Sequence, residues 1–130
     1  MIRKAGALIL AEKKLLIVRP YGKPFFINPG GKYEEGESAI DCLRRELKEE
    51  LDVVLNGFKE YRTYNLEKAA HSNDSLSLEL YLVSYSGEVK PSSEIEIVEW
   101  MSKEDFYAKR YNLAPSFEKF VSDLIRDDLL

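Results

Sequence analysis

Three glutamates lie close together in a stretch that has the pattern of a helix. Glu46, Glu49 and Glu50 are spaced three and four residues apart, so a helix places them on one face, roughly 5–6 Å apart at Cβ. Mg²⁺ would remove their mutual repulsion, because it accepts carboxylate oxygens and completes its octahedral shell with water and phosphate oxygens. The alternative is a solvated acidic helix face, which is the general expectation for a run of charges.

A glycine loop before this helix favours the cation site over the solvated face. Pro29-Gly30-Gly31 predicts a tight turn, and glycine has no Cβ to keep the backbone away from a ligand or cation. Five residues separate Gly31 from Glu37, seven more precede Arg45-Glu46-Leu47, and one residue then precedes Glu49-Glu50. A structural domain with an acidic helix would leave this spacing unexplained.

The spacing resembles the Nudix box, position for position, and the chain is thereby similar to MutT-like Nudix hydrolases. The resemblance implies that Glu46, Glu49, Glu50 and the backbone carbonyl near Gly30 bind Mg²⁺ or Mn²⁺. It also implies that Arg45 braces the acids through charge-assisted hydrogen bonds.

The same resemblance gives supporting roles to the loop that joins the glycines to the helix. Glu37 would stabilise the junction of loop and helix. Glu34 would reach the cations bound to the phosphates, or remain an exposed loop acid. Asp52 departs from the pattern, because the family usually carries glycine there. Asp tolerates a left-handed backbone, so the helix is still expected to end at this residue.

The reaction implied is pyrophosphohydrolysis of a small nucleotide-like molecule. A water activated by the divalent cation would attack a phosphorus of a nucleoside diphosphate linked to another group. Oxidised nucleotides, nucleotide sugars, ADP-ribose and dinucleoside polyphosphates all remain open as substrates. The alternative is a Nudix-like sensor that binds such a ligand without cutting it, since fold does not fix function. The full set of three glutamates counts against the sensor.

Residues outside the box supply the remaining candidates. Arg19 is predicted to contact phosphate, or else to face solvent at a strand end. Phe26 and Tyr33 flank the glycine loop and could stack on a base, although an aromatic in a short strand is more often core. Glu94 and His71 compete as the general base. Glu94 is favoured because MutT-like members carry an additional metal-binding acid at this distance before the residue here occupied by Trp100.

Apolar periodicity predicts the elements that would position these residues. Strands are expected at 8–10, 15–18, 25–27, 61–64, 76–83 and 95–101, with the 76–83 strand half-buried. Helices are expected to begin at Ser38 and Ser102, and an amphipathic helix to end the chain. The fold class predicted is α/β, a Nudix-type α/β/α sandwich with a mixed β-sheet, over residues 1–130 as a single domain.

Composition sets limits on partners and compartment. A net charge of −4 and a pI near 5.2 argue against a stable nucleic-acid partner, which needs a basic face. No stretch reaches the roughly 18 apolar residues of a membrane span. One cysteine, Cys42, is expected to be a small buried hydrophobe and agrees with a reducing compartment. A cytoplasmic protein is therefore expected, with a homodimer among the oligomeric states left open.

Overall fold

Seven strands and three helices occur in the part of the chain that the computed structural model describes, residues 1–67 and 73–130. The strands are β1 (Ile2–Leu8), β2 (Leu10–Ala11), β3 (Lys14–Pro20), β4 (Gly30–Lys32), β5 (Val54–Leu66), β6 (Leu76–Ser86) and β7 (Ile95–Ser102). The helices are α1 (Ala39–Leu51), α2 (Lys103–Tyr107) and α3 (Phe117–Arg126). Among these residues, no helix combines the length and the apolar character needed to cross a membrane.

The strands form two sheets, and the larger one is mixed. Its order is β4-β1-β6-β5, with β1 and β6 parallel and the other neighbours antiparallel. Parallel neighbours need a crossover connection, and the chain between β1 and β6 contains α1. The second sheet is antiparallel, in the order β2-β3-β7.

Each face of the β1–β6 layer carries its own hydrophobic core. On one face, Leu43, Leu47 and Leu51 of α1 pack with Ala5 and Ala7 of β1, and all five are fully buried. On the other face α3 contributes its buried residues, which are Phe117, Phe120, Val121 and Leu124. Helices thus cover both faces, and the predicted α/β/α sandwich with a mixed sheet is confirmed.

Apart from strands whose bounds differ, such as β1 and β5, two strand predictions were wrong in kind. Residues 25–27 form isolated bridges, Val18 with Ile27 and Phe26 with Leu113, rather than a strand. The β6 strand is buried on both faces instead of one, since Tyr81 is only 6% exposed on the face opposite Leu80. Its central place between β1 and β5 explains this, because alternating side chains meet the α3 core on one side and the α1 core on the other.

Helix α1 begins and ends where the sequence predicts. The Ser38 hydroxyl accepts a hydrogen bond from the Asp41 N–H at 3.3 Å. Asp52 forms the C-cap with φ 55° and ψ 41°, the left-handed conformation, and its N–H points to the carbonyls of Leu47 and Lys48. These two ends fix which residues of α1 face the sheet.

Candidate active site

Two glutamates of α1 are buried against the glycine strand β4. Glu50 is 2% exposed and Glu46 is 8% exposed. The Gly30 N–H donates a hydrogen bond to Glu50 Oε1 at 2.9 Å. Gly30 was expected to offer its carbonyl to a cation, whereas the contact seen here is made by its N–H. A backbone donor therefore fixes the carboxylate of Glu50 at the junction of α1 and the sheet.

The two glycines are required by the close approach of their neighbours. A Cβ on Gly31 would lie 2.5 Å from Glu46 Oε1. Gly30 has φ +132°, and a Cβ there would lie 2.2 Å from the Ala5 carbonyl oxygen. The pair thus lets β4 pack against both β1 and the acidic helix face.

Arg45 holds the loop before the helix and one of the acids. Its guanidinium donates to both carboxylate oxygens of Glu37, at 2.7 and 2.9 Å, and to Glu46 Oε1 at 2.7 Å. It also donates to the Lys32 carbonyl at 3.1 Å. These contacts lower the pKa of Glu37 to about 2, with the Arg45 hydrogen bond as the largest cause. Arg45 is therefore a brace, in the position that the box resemblance implied.

Glu37 also supports the loop as expected, by accepting a hydrogen bond from the Glu34 N–H at 2.8 Å. The Glu34 carboxylate is 67% exposed and lies 3.5 Å from Arg45 Nε. Cys42, one turn before Glu46, is fully buried, and burial raises the pKa of its thiol to about 11. The expectation of a small buried cysteine is confirmed.

Glu94 reaches the acids of α1 through the segment that precedes β7. The Lys90 N–H donates to the Leu51 carbonyl at 2.9 Å, and the Ser92 N–H donates to the Glu50 carbonyl at 3.0 Å. The last carbonyls of a helix lack partners within it, so they anchor this segment. Ser93 then takes a left-handed backbone, φ 55°, and its hydroxyl bonds the Glu94 carboxylate at 2.8 Å.

Three carboxylates consequently meet at one point. Oxygens of Glu46, Glu50 and Glu94 all lie within 4.8 Å of one another. Glu49, predicted to share the cation, stands outside this group, with its side chain 48% exposed and 3.7 Å from Arg45 Nη1. The group of three therefore contains Glu94 but not Glu49, which was predicted to bind the cation.

The electrostatics of Glu50 fit a divalent cation at this point. The pKa of Glu50 is raised to about 9, mainly by burial; the nearby carboxylates of Glu46 and Glu94 act in the same direction, and the Gly30 N–H acts against them. No salt bridge reaches Glu50 from the described residues. Ionised, it would be an uncompensated buried charge, which is costly. Clustered carboxylate oxygens are the ligands that Mg²⁺ and Mn²⁺ prefer.

The acids open into a cleft of about 540 Å³ whose other charged residues are mainly basic. Lys4, Lys23, Lys32 and Arg45 line it together with Tyr33, Glu34 and the three clustered glutamates. A narrower cavity of about 40 Å³ adjoins it and shares Lys4, Ile27, Gly30 and Gly31. Cations around an acidic point suit a ligand that carries phosphates and binds through a metal ion.

The residues predicted to bind substrate lie at varying distances from this cleft. Tyr33 lines it, but its hydroxyl donates to Glu79 at 2.7 Å and its ring lies 4.4 Å below the Arg3 guanidinium. Phe26 is packed in the core, 9% exposed, with its ring centroid 5.3 Å from that of Tyr111. Of the two roles considered for Phe26, the structure therefore favours core packing over base stacking.

Two further candidates remain predictions. Arg19 pairs with Glu96 at 2.9 Å, and its Nε is buried without a hydrogen-bond partner. The next two residues, Pro20 and Tyr21, line the cleft, whereas Arg19 is not among its lining residues. His71 lies outside the described residues, which end at 67 and resume at 73.

Sequence reasoning missed Lys4, which lines both the cleft and the narrow cavity. Its signal was a charged residue at an inward-facing position of a strand, between Ile2 and Gly6. That signal was hidden because the first strand was expected to begin at residue 8, while β1 begins at Ile2.

A mixed sheet between helices, with buried carboxylates beside a glycine strand in a cleft that lysines also line, defines a class of hydrolase that acts on phosphoanhydride bonds. The sequence profile of the NUDIX domain matches residues 2–124, and the chain belongs to this family. Among curated protein sequences, none matches the chain significantly.

Solved structures agree with this assignment. The E. coli ORF135 protein shares 27% identity at a TM-score of 0.74, over 94% of this chain and 89% of that one. The MutT protein from Methanosarcina mazei Go1 gives 24% identity and a TM-score of 0.78, covering 98% and 94%. A NUDIX hydrolase from Nitrosomonas europaea gives 19% and 0.80, covering 97% and 89%. The last two likenesses support the fold alone.

Proposed function

We propose that this Nudix hydrolase is a Mg²⁺- or Mn²⁺-dependent pyrophosphohydrolase that cleaves a nucleoside-diphosphate-linked small molecule. The observation that carries the proposal is the meeting of Glu46, Glu50 and Glu94 within 4.8 Å in a cleft that lysines also line. Two of these acids are almost fully buried. Proteins rarely bury carboxylates in this way unless a cation or a function requires it.

The clustered acids would hold the divalent cation. Glu46 and Glu50 would contribute from a rigid helix and Glu94 from the anchored segment before β7. Glu49, on the exposed side of the same helix, has the freedom to contribute a further carboxylate when cation and phosphate are both present. The Gly30 carbonyl remains a proposed ligand as well.

When bound, the cation would lower the pKa of a water molecule and neutralise charge that develops on the phosphate oxygens. The protein's own residues orient and hold the groups around it. Arg45 keeps Glu46 in place and bridges it to the loop through Glu37. Glu94 would accept the proton of the attacking water, a role supported by its exposure at the cleft. Lys23 and Lys32 would attract the phosphates of the substrate to the cleft.

The first test is turnover with and without the cation. A panel of nucleoside triphosphates, nucleotide sugars, ADP-ribose and dinucleoside polyphosphates would be assayed for phosphate or nucleotide release in Mg²⁺ or Mn²⁺ and in EDTA. We expect turnover of at least one compound, and its loss in EDTA. The variant Glu50→Gln should lower kcat roughly 10²-fold or more at an unchanged circular dichroism spectrum, because it removes charge without changing size.

The matched control is Glu118→Gln, an exposed position on α3 that should leave kcat unchanged. Full turnover in EDTA would overturn the metal mechanism. A Glu50→Gln enzyme within twofold of wild type, or no turnover of any compound despite tight nucleotide binding, would favour the sensor instead.

A further inference from the structure

Lys4 projects from β1 on the face opposite α1. Alternate residues of a strand share a face, and Ile2 and Leu8 both belong to the core that α3 completes. A Cβ on Gly6 would meet Asn28, Leu80 and Leu78 on that face, at 2.3, 2.7 and 3.4 Å. Lys4 therefore emerges among the leucines of β6, at an inward-facing position where a cation is unusual.

The surroundings of Lys4 are apolar on one side and acidic on the other. The narrow cavity beside it is lined mainly by apolar side chains, with Asn28 and Ser116 as its other polar residues. The wider cleft that Lys4 also lines contains the three clustered glutamates. Lys4 thus stands at the junction between the place where phosphates would bind and an apolar slot.

The Lys4 ammonium has no partner in the described parts of the chain, where neither a hydrogen bond nor an ion pair within 4.0 Å involves it. Burial lowers the pKa of Lys4, and the neighbouring Lys32 lowers it further, while Glu50 and Glu46 act in the opposite direction. The ammonium is nevertheless not among the buried unpaired polar atoms of the described residues, so it stays accessible to solvent. A ligand that supplies an acceptor at this point would replace water as the partner of the ammonium.

We infer that Lys4 is a specificity-determining residue that donates a hydrogen bond to a carbonyl oxygen of the substrate's nucleobase. This inference rests on the proposed function in one respect, the orientation of the bound substrate. Its phosphates would lie at the three glutamates and its base would point toward the slot. An ammonium group is a donor with no acceptor capacity. It matches the adjacent O6 and N7 acceptors of guanine or a uracil carbonyl, whereas adenine presents an amino donor at the same edge.

The size of the slot agrees with a contact made at its entrance. Its free volume of about 40 Å³ holds a water molecule or two, and a purine ring is larger. A base can therefore enter fully only if wall residues such as Leu66 shift. The base would contact Lys4, at the entrance, before that shift is complete.

Binding of nucleoside monophosphates tests the inference without turnover, since they contain no anhydride bond. GMP, UMP and AMP would be titrated in Mg²⁺ by calorimetry, and guanosine and adenosine without metal by NMR. We expect GMP and UMP to bind about tenfold more tightly than AMP. Lys4→Met should remove this preference, and Lys4→Arg should keep most of it, because guanidinium donates to the same acceptors.

Lys14→Met is the matched control, since Lys14 is exposed on β3 and lines neither cavity. In turnover, Lys4→Met should change KM for guanine substrates more than kcat. Its melting temperature should stay close to that of the wild type, because no hydrogen bond or ion pair of the described residues involves the Lys4 ammonium.

Two results would overturn the inference. One is equal affinity of wild-type protein for GMP and AMP, which needs no variant. The other is a Lys4→Met protein that loses affinity for every nucleotide by the same factor, which would assign Lys4 to the phosphates. Both are independent of whether any compound is hydrolysed, so failure of the hydrolase proposal is distinguishable.

Discussion

At the scale of single residues, the contribution of Glu94 depends on backbone bonds made by its neighbours. Lys90 and Ser92 attach to the last carbonyls of α1, and the Tyr21 N–H bonds the Glu94 carbonyl at 2.8 Å. The side chain itself is exposed and bonds only Ser93 among the described residues. A fixed backbone with an exposed carboxylate suits a residue that meets both the cation and a water molecule.

Replacing this carboxylate tests its role against the competing base. Glu94→Gln should lower kcat by roughly 10²-fold at fixed Mg²⁺, within the 10²–10⁴-fold range of general-base catalysis. His71→Ala should leave kcat within a few-fold of wild type. The opposite outcome, a large loss in His71→Ala with Glu94→Gln nearly intact, would move the base to the chain between β5 and β6.

The site residues differ in how far sequence could identify them. Glu46 and Glu50 were predictable because they occupy one helix, where spacing fixes their geometry, whereas the role of Arg45 came from the family resemblance. Glu94 came only from the family resemblance, since its proximity to Glu50 depends on tertiary bonds. Lys4 could not be found by spacing, because its environment is made by β6 and α3, both far away along the chain.

At the scale of elements, the end of α1 determines where Glu50 and the segment before β7 lie. Asp52 adopts the left-handed conformation there and pairs with Lys48 at 2.6 Å. Both partners are largely exposed, so the pair adds little stability. The left-handed backbone, which disfavours any residue with a Cβ other than Asn or Asp, is the stronger constraint.

Two substitutions separate these effects. Asp52→Gly should change the free energy of unfolding by less than about 1 kcal/mol, because relief of the backbone offsets the lost ion pair. Asp52→Ala should destabilise by roughly 1 kcal/mol or more, since it keeps the Cβ and loses the side-chain oxygen. Urea unfolding measures both. An order-of-magnitude change in kcat for Asp52→Gly would instead mean that Asp52 belongs to the site.

Elements were predictable where one periodicity ran unbroken, as in α1 and α3. Elements were not predictable where tertiary contacts determine the backbone conformation. Residues 25–27 look like a strand in composition, yet they bridge single residues of β3 and the segment before α3. The start of β1 was missed because Arg3 and Lys4 interrupt its apolar pattern, and pairing with β6 overrides that interruption.

At the scale of the whole molecule, the buried acid makes stability depend on pH. The pKa of Glu50 is about 9 in the folded protein and near 4.5 when the chain is unfolded. Between these values the folded state retains a proton that the unfolded state has lost. Without metal, the stabilisation is complete below about pH 4.5 and is lost as the pH rises through about 9.

Urea unfolding in EDTA at pH 6 and pH 8 measures this dependence. The free energy of unfolding should fall by up to about 1.4 kcal/mol per pH unit, and Glu50→Gln should remove most of the slope. Calorimetry with Mg²⁺ in two buffers of different ionisation enthalpy should show about one proton released per cation bound. A wild-type slope equal to that of Glu50→Gln would show that Glu50 is already ionised in the folded state.

Successive side chains of β1 and β6 point alternately into the two cores. This alternation has a consequence for mutations. A substitution in these strands changes one side chain. An insertion or deletion within β1, however, changes the register of every strand residue beyond it. A shift of one residue turns each side chain to the opposite face. A deletion between Lys4 and Leu8 would exchange residues that belong to the α1 core with residues that belong to the α3 core. The strands that support the site therefore tolerate substitutions far better than insertions or deletions.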